Sequence, residues 1–122
     1  MAATDADRLA LALKNVQSGN FAQAAEACLA VLAAEPDRAD ALKILSGVRF
    51  MEGRLDEALA MLRRAAALDP NDPRVAANRG SILTRMNRTD EAIVCYQQAS
   101  ALDPGNAEAH YNPGATLSPE AW

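Results

Sequence analysis

The stretch GRLDEALAMLRRA, from Gly53 to Ala65, decides the fold because its residue pattern recurs in two other places in the chain. It aligns without a gap to GNFAQAAEACLAVL, which begins at Gly19, and to NRTDEAIVCYQQA, which begins at Asn87. Each copy is closed by a proline, and successive prolines are 34 residues apart: Pro36, Pro70 and Pro104. A fixed period of this length is typical of solenoids, in which each repeat stacks on the next.

Each repeat is predicted to form a pair of antiparallel helices. Two apolar-periodic stretches of about 14 residues flank a short turn, which reads SGN, EGR or MNR. The repeats cover 5–38, 39–72 and 73–106, followed by a partial fourth at 107–112 and a C-terminal tail at 113–122. The predicted helices are 5–18, 21–34, 39–52, 55–68, 73–86 and 89–101.

Residues at the predicted helix ends agree with these boundaries. Asp72 followed by Pro73 indicates an N-cap with proline at the first helical position. Thr89, which precedes two acidic residues, predicts a second N-cap. The proline that closes each repeat cannot continue a helix, so it separates one repeat from the next.

Small residues recur where the two helices of a repeat must touch, since a bulky side chain there would push the backbones apart. These small positions are Ala12, Ser46 and Gly80 in the first helices, and Ala24, Ala58 and Ala92 in the second. Larger residues between them are predicted to form the core: Leu11 and Leu45, then Cys28, Leu62 and Tyr96, then Val31, Ala65 and Ala99.

This pattern resembles the tetratricopeptide repeat (TPR) family. Repeat two carries the family's residues most completely, at Ser46, Ala58, Leu62, Ala65 and Pro70. Repeat three departs from the pattern, with Asn87 for the usual turn glycine and Arg79 for a leucine. The resemblance implies an all-α fold, a right-handed superhelical α-solenoid of antiparallel helix pairs whose first helices line a concave groove.

Helical phase and the resemblance together assign residues to this groove, which is expected to change from apolar to polar and basic along its length. The assigned residues are Leu9, Leu13, Val16 and Gln17 in repeat one, Lys43, Ile44, Gly47, Phe50 and Met51 in repeat two, Arg74, Asn78, Ser81, Thr84 and Arg85 in repeat three, and Tyr111 and Asn112 in the partial fourth. Such a groove suits an extended peptide or an amphipathic helix with an acidic group at one end. Alternatively, the apolar side chains could pack under neighbouring turns and the arginines could face solvent.

Two known TPR binding modes were compared with these positions. Asn78 and Asn112 resemble the asparagine ladder by which the repeats of O-linked sugar transferases hold peptide backbone, although Ile44 breaks it upstream. The carboxylate clamp of chaperone-binding members needs lysines and asparagines, but Leu9 and Leu13 stand at its places. A chaperone C-terminal tail is therefore not an expected ligand.

Composition narrows the function further. A formal net charge of −4 disfavours binding to nucleic acid or to an anionic membrane. Cys28 and Cys95 lie far apart in apolar patterns, so they are expected to be unbridged thiols in a reducing, cytoplasmic setting. A single histidine, His110, and the absence of a phosphate-binding loop predict no metal site, no cofactor and no enzyme activity.

Three functions remain open. The first is a non-enzymatic protein–protein interaction scaffold that binds a peptide or protein segment in its groove. The second is the N-terminal TPR region of a larger bacterial glycosyltransferase or sulfotransferase, as the resemblance suggests. The third is a self-assembly module.

The stretch HYNPGATL, from His110 to Leu117, breaks the repeat because Pro113 lacks the amide that a helix interior requires. The array is therefore expected to lack a capping helix, leaving the apolar groups around Leu83, Ile93 and Tyr96 partly uncovered. A homodimer through this end, a lid formed by TLSPEAW, or a truncated longer array would each account for the break.

Overall fold

The computed structural model describes residues 4–105, and its helix ends agree with the sequence prediction to within one residue. In this part of the chain the helices are α1 (Asp5–Gln17), α2 (Phe21–Ala34), α3 (Ala39–Met51), α4 (Leu55–Leu68), α5 (Pro73–Arg85) and α6 (Thr89–Leu102). No strand occurs between residues 4 and 105. The chain is thus an all-α solenoid of helix pairs over these residues.

The helices stack in chain order. Within each repeat the first helix packs on the second, as α1 on α2, α3 on α4 and α5 on α6. Between repeats, α2 packs on α3 and α4 on α5, while α1 also touches α3. The first helices therefore lie side by side along one face of the array.

The helix starts include one confirmed cap, one wrong prediction and one cap that the sequence prediction missed. Asp72 caps α5 as predicted, since its carboxylate accepts the amide of Arg74 at 3.0 Å. Thr89 is not a cap: Arg88 is, because its carbonyl already accepts the amide of Ala92 at 3.0 Å and places Thr89 inside α6. The missed cap is Thr4, which forms a reciprocal capping box with Asp7 at the start of α1.

All three turns within the repeats place one residue in the left-handed region. Gly19 and Gly53 have φ values of 80° and 78°, and Asn87 has 59° at the equivalent position of repeat three. A side chain at either glycine would meet nothing within 4 Å, so the requirement there is one of backbone conformation rather than space. Asparagine is among the residues that tolerate this conformation.

The predicted small positions lie in the contacts between helices. Ala12, Ala24, Ser46, Ala58 and Ala92 are each 0% exposed. The hydroxyl of Ser46 donates to the carbonyl of Ala58 at 2.8 Å, so the two backbones of repeat two are in close approach. In repeat three, a Cβ added at Gly80 would lie 2.8 Å from a ring carbon of Tyr96.

The core is confirmed at most of its predicted positions, with one exception at the N-terminal end. Leu45, Cys28 and Leu62 are fully buried, whereas Leu11 is 53% exposed. Leu45 packs in a cluster with residues of the preceding repeat. Leu11 occupies the same repeat position in the first repeat, where it lines a shallow depression between α1 and α2. Cys28 and Cys95 are buried and unbridged, as predicted.

Two of the side chains expected to be uncovered at the C-terminal end are buried. Leu83 is 2% exposed and Tyr96 is 5% exposed, because both pack into the cluster shared by repeats two and three. The expectation was wrong because it treated them as end residues, whereas Tyr96 faces Gly80 within its own repeat. The partial repeat at 107–112, the break at Pro113, the tail at 113–122 and the predicted homodimer contact lie outside the described residues.

Candidate functional site

A cavity of about 230 Å³ opens on the face formed by the first helices. Its lining consists of Leu13 from α1, Asp40, Lys43 and Ile44 from α3, Asp72 at the cap of α5, and Arg74, Val75 and Asn78 from α5. Residues from all three repeats therefore meet there. The structure brings together five residues that were predicted for the groove, namely Leu13, Lys43, Ile44, Arg74 and Asn78.

The cavity has an apolar base. Ile44 and Val75 are 6% and 3% exposed, so they contribute surface to the cavity while packing into the core. Leu13, which also lines the cavity, is 38% exposed. Asn78 is a polar residue of the lining and is 4% exposed. Val75 lies in the first turn of α5, and Ile44 lies on α3. The packing of α5 beside α3 therefore brings these two apolar side chains together in the lining.

Lys43 is held between two carboxylates. Its Nζ lies 2.9 Å from Oδ2 of Asp69 and 2.8 Å from Oδ2 of Asp72. The side chains of Lys43 and Asp72 are only 16% and 10% exposed. These bonds join the first helix of repeat two to the connection that leads into repeat three. The sequence prediction placed Lys43 in the groove but did not predict its ion pairs with Asp69 and Asp72.

The ion pair shifts the pKa values of both partners. Burial alone would lower the pKa of Lys43, but the hydrogen bonds from its ammonium group to Asp72 and Asp69 outweigh burial and raise it. Burial would raise the pKa of Asp72, but the bonds that it accepts from Lys43 and from the amide of Arg74 lower it. Both groups are therefore held in their charged forms at neutral pH.

The two remaining charged side chains of the cavity, Asp40 and Arg74, are similarly exposed, at 53% and 56%, and differ in the length of their ion pairs. Asp40 is paired with the guanidinium of Arg38, whose Nε lies 2.9 Å from its carboxylate. The side chain of Arg74 is 56% exposed, and its Nε lies 3.6 Å from Oδ1 of Asp72. The lining carries Asp40 and Asp72 against Lys43 and Arg74, so its formal charge is zero. The predicted basic character of the groove is thus confined to Arg74 at this cavity.

Other residues predicted for the groove serve the packing of the array. Leu9 and Val16 are 6% and 4% exposed and belong to the core between repeats one and two. Phe50 is also buried, and the guanidinium carbon of Arg85 lies 5.3 Å from its ring centroid. That contact is a cation–π interaction across the junction of repeats two and three.

The polar residues predicted near the C-terminal end of the groove bond within the array. The hydroxyl of Ser81 shares a 2.7 Å hydrogen bond with that of Tyr96. The hydroxyl of Thr84 donates to the carbonyl of Gly80 at 2.8 Å. Met51 is partly buried against the core. Asn112, with Tyr111, lies outside the described residues.

Four residues around the cavity were missed at the sequence level: Asp40, Asp69, Asp72 and Val75. Asp69 and Asp72 lie in the connection between repeats, which was interpreted only as a helix stop and a cap. A signal was present, because the acidic pair surrounds the closing proline one repeat boundary after Lys43.

Comparison with known families identifies the chain. A family model described as "Tetratricopeptide repeat" matches residues 15–82, and one described as "TPR repeat" matches residues 80–118. The chain belongs to the tetratricopeptide repeat family. The cavity on its first helices is therefore a feature of a TPR array, and the Asn87 turn is one variation of the TPR turn.

Three solved structures illustrate the similarity of fold. A mutant of the Thermobaculum terrenum O-GlcNAc transferase is 29% identical, with a TM-score of 0.79 over 89% of this chain and 22% of that chain. MamA is 24% identical, with a TM-score of 0.81 over 87% of this chain and 62% of that chain. The first TPR of Spaghetti (RPAP3), bound to an HSP90 peptide, is 19% identical, with a TM-score of 0.82 over 86% of this chain and 83% of that chain.

The chain thus spans about a fifth of the transferase and less than two thirds of MamA. No curated protein matches it in sequence. Among residues 4–105, no helix has both the length and the apolar character needed to cross a membrane. In the same part of the chain, no three His, Cys, Asp or Glu side chains lie close enough to hold a metal ion.

Proposed function

We propose that this TPR array is a protein-interaction scaffold that binds a segment of another protein along the face of α1, α3 and α5. The observation that carries the proposal is the cavity on that face, which combines an apolar base with a charged rim. Protein ligands are commonly anchored by apolar side chains in such pockets, with polar groups around them. The fold itself is compatible with this role, since the TPR domain of RPAP3 has been solved with a bound peptide.

A binding role fits the chemistry of the cavity better than a catalytic one. Lys43 is the only amine in its lining, and its raised pKa keeps it protonated, so it cannot act as a base or nucleophile near neutral pH. Asp72, with its lowered pKa, is a poor proton donor. The groups that could move a proton are instead fixed in an ion pair.

The proposal is tested by selecting random dodecapeptides on the purified chain and measuring the affinity of the selected peptides for variants. Leu13→Ser and Arg74→Glu alter two exposed cavity residues. Leu29→Ser and Lys14→Glu are matched controls, because they make the same types of change at exposed positions outside the cavity. Leu13→Ser should weaken binding about tenfold or more, in line with the loss of a buried leucine contact.

The two controls should bind as the wild type does. Circular dichroism should show that all four variants keep the same helix content. Equal affinity of the cavity variants and the controls would place the binding surface elsewhere and overturn the proposal.

A second candidate function is substrate recognition within a longer bacterial glycosyltransferase. The 29% identity to the Thermobaculum terrenum O-GlcNAc transferase favours it, and the match covers 22% of that chain. The gene's reading frame on both sides of this sequence tests the idea. A catalytic domain in frame is the expected result, and a stop on both sides would exclude this candidate.

A further inference from the structure

We propose that the cavity takes an uncharged apolar side chain from within a peptide, and not a terminal carboxylate, and that Arg74 favours an acidic residue beside that side chain. This inference rests on the proposed function and specifies the class of ligand. It follows from what Lys43 does, from the charge of the lining, from the size of the cavity and from the exposure of Arg74.

Lys43 is not available to a ligand carboxylate. It bonds two carboxylates at 2.9 and 2.8 Å and is 16% exposed. A ligand carboxylate would have to displace Asp72, which also caps α5 through the amide of Arg74. Displacement would leave Asp72 charged, little exposed and without its ammonium partner, which is unfavourable. The lysine thus supports the junction of two repeats instead of binding a terminus.

The rest of the lining favours a neutral occupant. The formal charges of Asp40, Lys43, Asp72 and Arg74 cancel, and Arg38 is already 2.9 Å from Asp40. A charged group that entered the cavity would lose its hydration without gaining an unpaired partner of opposite charge at the base. An apolar group would instead cover the exposed parts of Leu13, Ile44 and Val75.

The size of the cavity suits one side chain. Its volume is about 230 Å³. A protein cavity of about 150 Å³ accommodates benzene, so this one has room for a side chain as large as leucine, methionine or phenylalanine. The occupant would contact residues of three repeats at once, since Leu13, Ile44 and Val75 belong to different repeats.

Arg74 is the exposed positive charge of the cavity lining; Asp40 is also exposed, at 53%, but it is negative and already paired with Arg38. The side chain of Arg74 is 56% exposed, and its ion pair with Asp72 is long, at 3.6 Å. Asp69 is also exposed, at 47%, but it is bonded to Lys43 at 2.9 Å. A ligand carboxylate placed next to the apolar anchor is therefore attracted on the Arg74 side of the cavity, and it gains most there.

The test uses two libraries of random dodecapeptides. In one, both peptide ends are joined to the carrier protein; in the other, the C-terminus is free. The expected result is that the internal library yields peptides with an apolar residue next to an acidic residue. Selection from the free-carboxylate library alone, or of peptides without an apolar anchor, would overturn the inference.

A selected peptide is then synthesised with an amidated end and with a free end. Both forms should bind equally, and replacing the apolar anchor by serine should weaken binding at least about tenfold. Replacing the acidic residue by lysine should weaken binding about three- to fivefold, as expected of an exposed ion pair. Arg74→Glu should recover binding of that lysine peptide, whereas the control Lys14→Glu should not.

Failure of this inference can be distinguished from failure of the proposed function. Peptides that need a free carboxylate, yet lose affinity with Leu13→Ser, would support the scaffold and contradict the ligand class proposed here. If Arg74→Glu did not reverse the charge preference, the role given to Arg74 would be wrong. If neither library yielded a binder, both proposals would fail together.

Discussion

Repeats two and three make the same helix contact but divide the side-chain volume between the two helices in different proportions. At the contact, repeat two carries Ser46 on its first helix and Leu62 at the large position of its second, whereas repeat three carries Gly80 and Tyr96. Ser46 uses its hydroxyl to bond Ala58, but Gly80 has no room for even a methyl group beside the ring of Tyr96. The comparison teaches that the repeat fixes the combined volume at the contact rather than either residue.

The largest loss of stability is expected when a side chain in the helix contact of repeat two is enlarged and no neighbouring side chain is made smaller. Ala58→Phe should lower the free energy of unfolding by at least about 2 kcal/mol, because the ring would force α3 and α4 apart. Urea denaturation followed by circular dichroism measures it. Ala60→Phe, at an exposed position of α4, is the control and should change stability by less than about 0.5 kcal/mol. Equal stability of the two variants would show that α3 and α4 are not in close contact.

Gly80→Ala tests the same limit in repeat three. Its added Cβ would lie 2.8 Å from the Tyr96 ring, so the protein should lose about 1–2 kcal/mol despite the better helix propensity of alanine. Combining it with Tyr96→Leu rebuilds the arrangement of repeat two. A double-mutant cycle by urea denaturation should then give a favourable coupling of about 1 kcal/mol. Simple additivity would contradict the idea of a shared volume.

The ion pair between Lys43 and Asp72 makes the free energy of unfolding depend on pH, which the apolar contacts do not. Because the pKa of Asp72 is lowered by folding, its stabilising contribution is present above its unfolded pKa and is lost as pH falls through the folded one. Because the pKa of Lys43 is raised by folding, its contribution is lost as pH rises through that higher value, above 10.5.

Lys43→Met should therefore destabilise the protein by about 1–2 kcal/mol at neutral pH, by leaving a charged hydrogen bond of Asp72 unmade. The cost should shrink as Asp72 becomes protonated in acid. Ala77 stands at the equivalent position of repeat three, which lacks this lysine. Urea denaturation of wild type and variant between neutral pH and about pH 3 measures the difference. A cost that did not change with pH would show that the lysine acts through its aliphatic part alone.

Ser46→Ala should cost about 1 kcal/mol, since it removes one buried hydrogen bond while leaving the Ala58 carbonyl near the contact. Ala12 is the equivalent residue of repeat one, so the smaller side chain is compatible with the fold. Thermal unfolding of the variant measures the loss. An unchanged melting temperature would mean that the volume, and not the hydroxyl, is what repeat two requires.

The smallest change in stability is expected for substitutions in the turns within the repeats. Asn87→Gly should stabilise the chain by up to about 1 kcal/mol, because its φ of 59° is easier for glycine. Gly53→Ala at the equivalent turn should destabilise by a similar amount, although its Cβ would meet nothing within 4 Å. Thermal unfolding compares the two variants. Changes of the same sign would show that the turns are not equivalent.

The helix boundaries could be predicted because they depend on local features that recur in the sequence. The period, the turn residues and the Asp72 cap all act within a few residues of where they stand. Leu11 could not be predicted in the same way, since its burial depends on whether a repeat precedes it. The sequence pattern is the same at Leu11 and Leu45, but their surroundings are different.

The candidate site was predicted only in part for a similar reason. Helical phase identified Leu13, Ile44 and Arg74, because each lies on the same side of its own helix. The partners of Lys43 are 26 and 29 residues away in sequence and belong to a connection, so helical phase says nothing about them. Those ion pairs appear only once α3 and the start of α5 are placed side by side.

The ion pairs of Lys43 also have a mechanical meaning. They join α3 to both ends of the connection between α4 and α5, at the C-cap Asp69 and at the N-cap Asp72. Bending or straightening the array at this junction must lengthen or tilt these short bonds, so the junction resists a change of curvature. Because each repeat of a solenoid contacts only its neighbours, the flexibility of the array is the sum of the flexibilities of its junctions. The bonds of Lys43 lie at the wall of the cavity, so they reduce the flexibility of the array where a ligand would be seated.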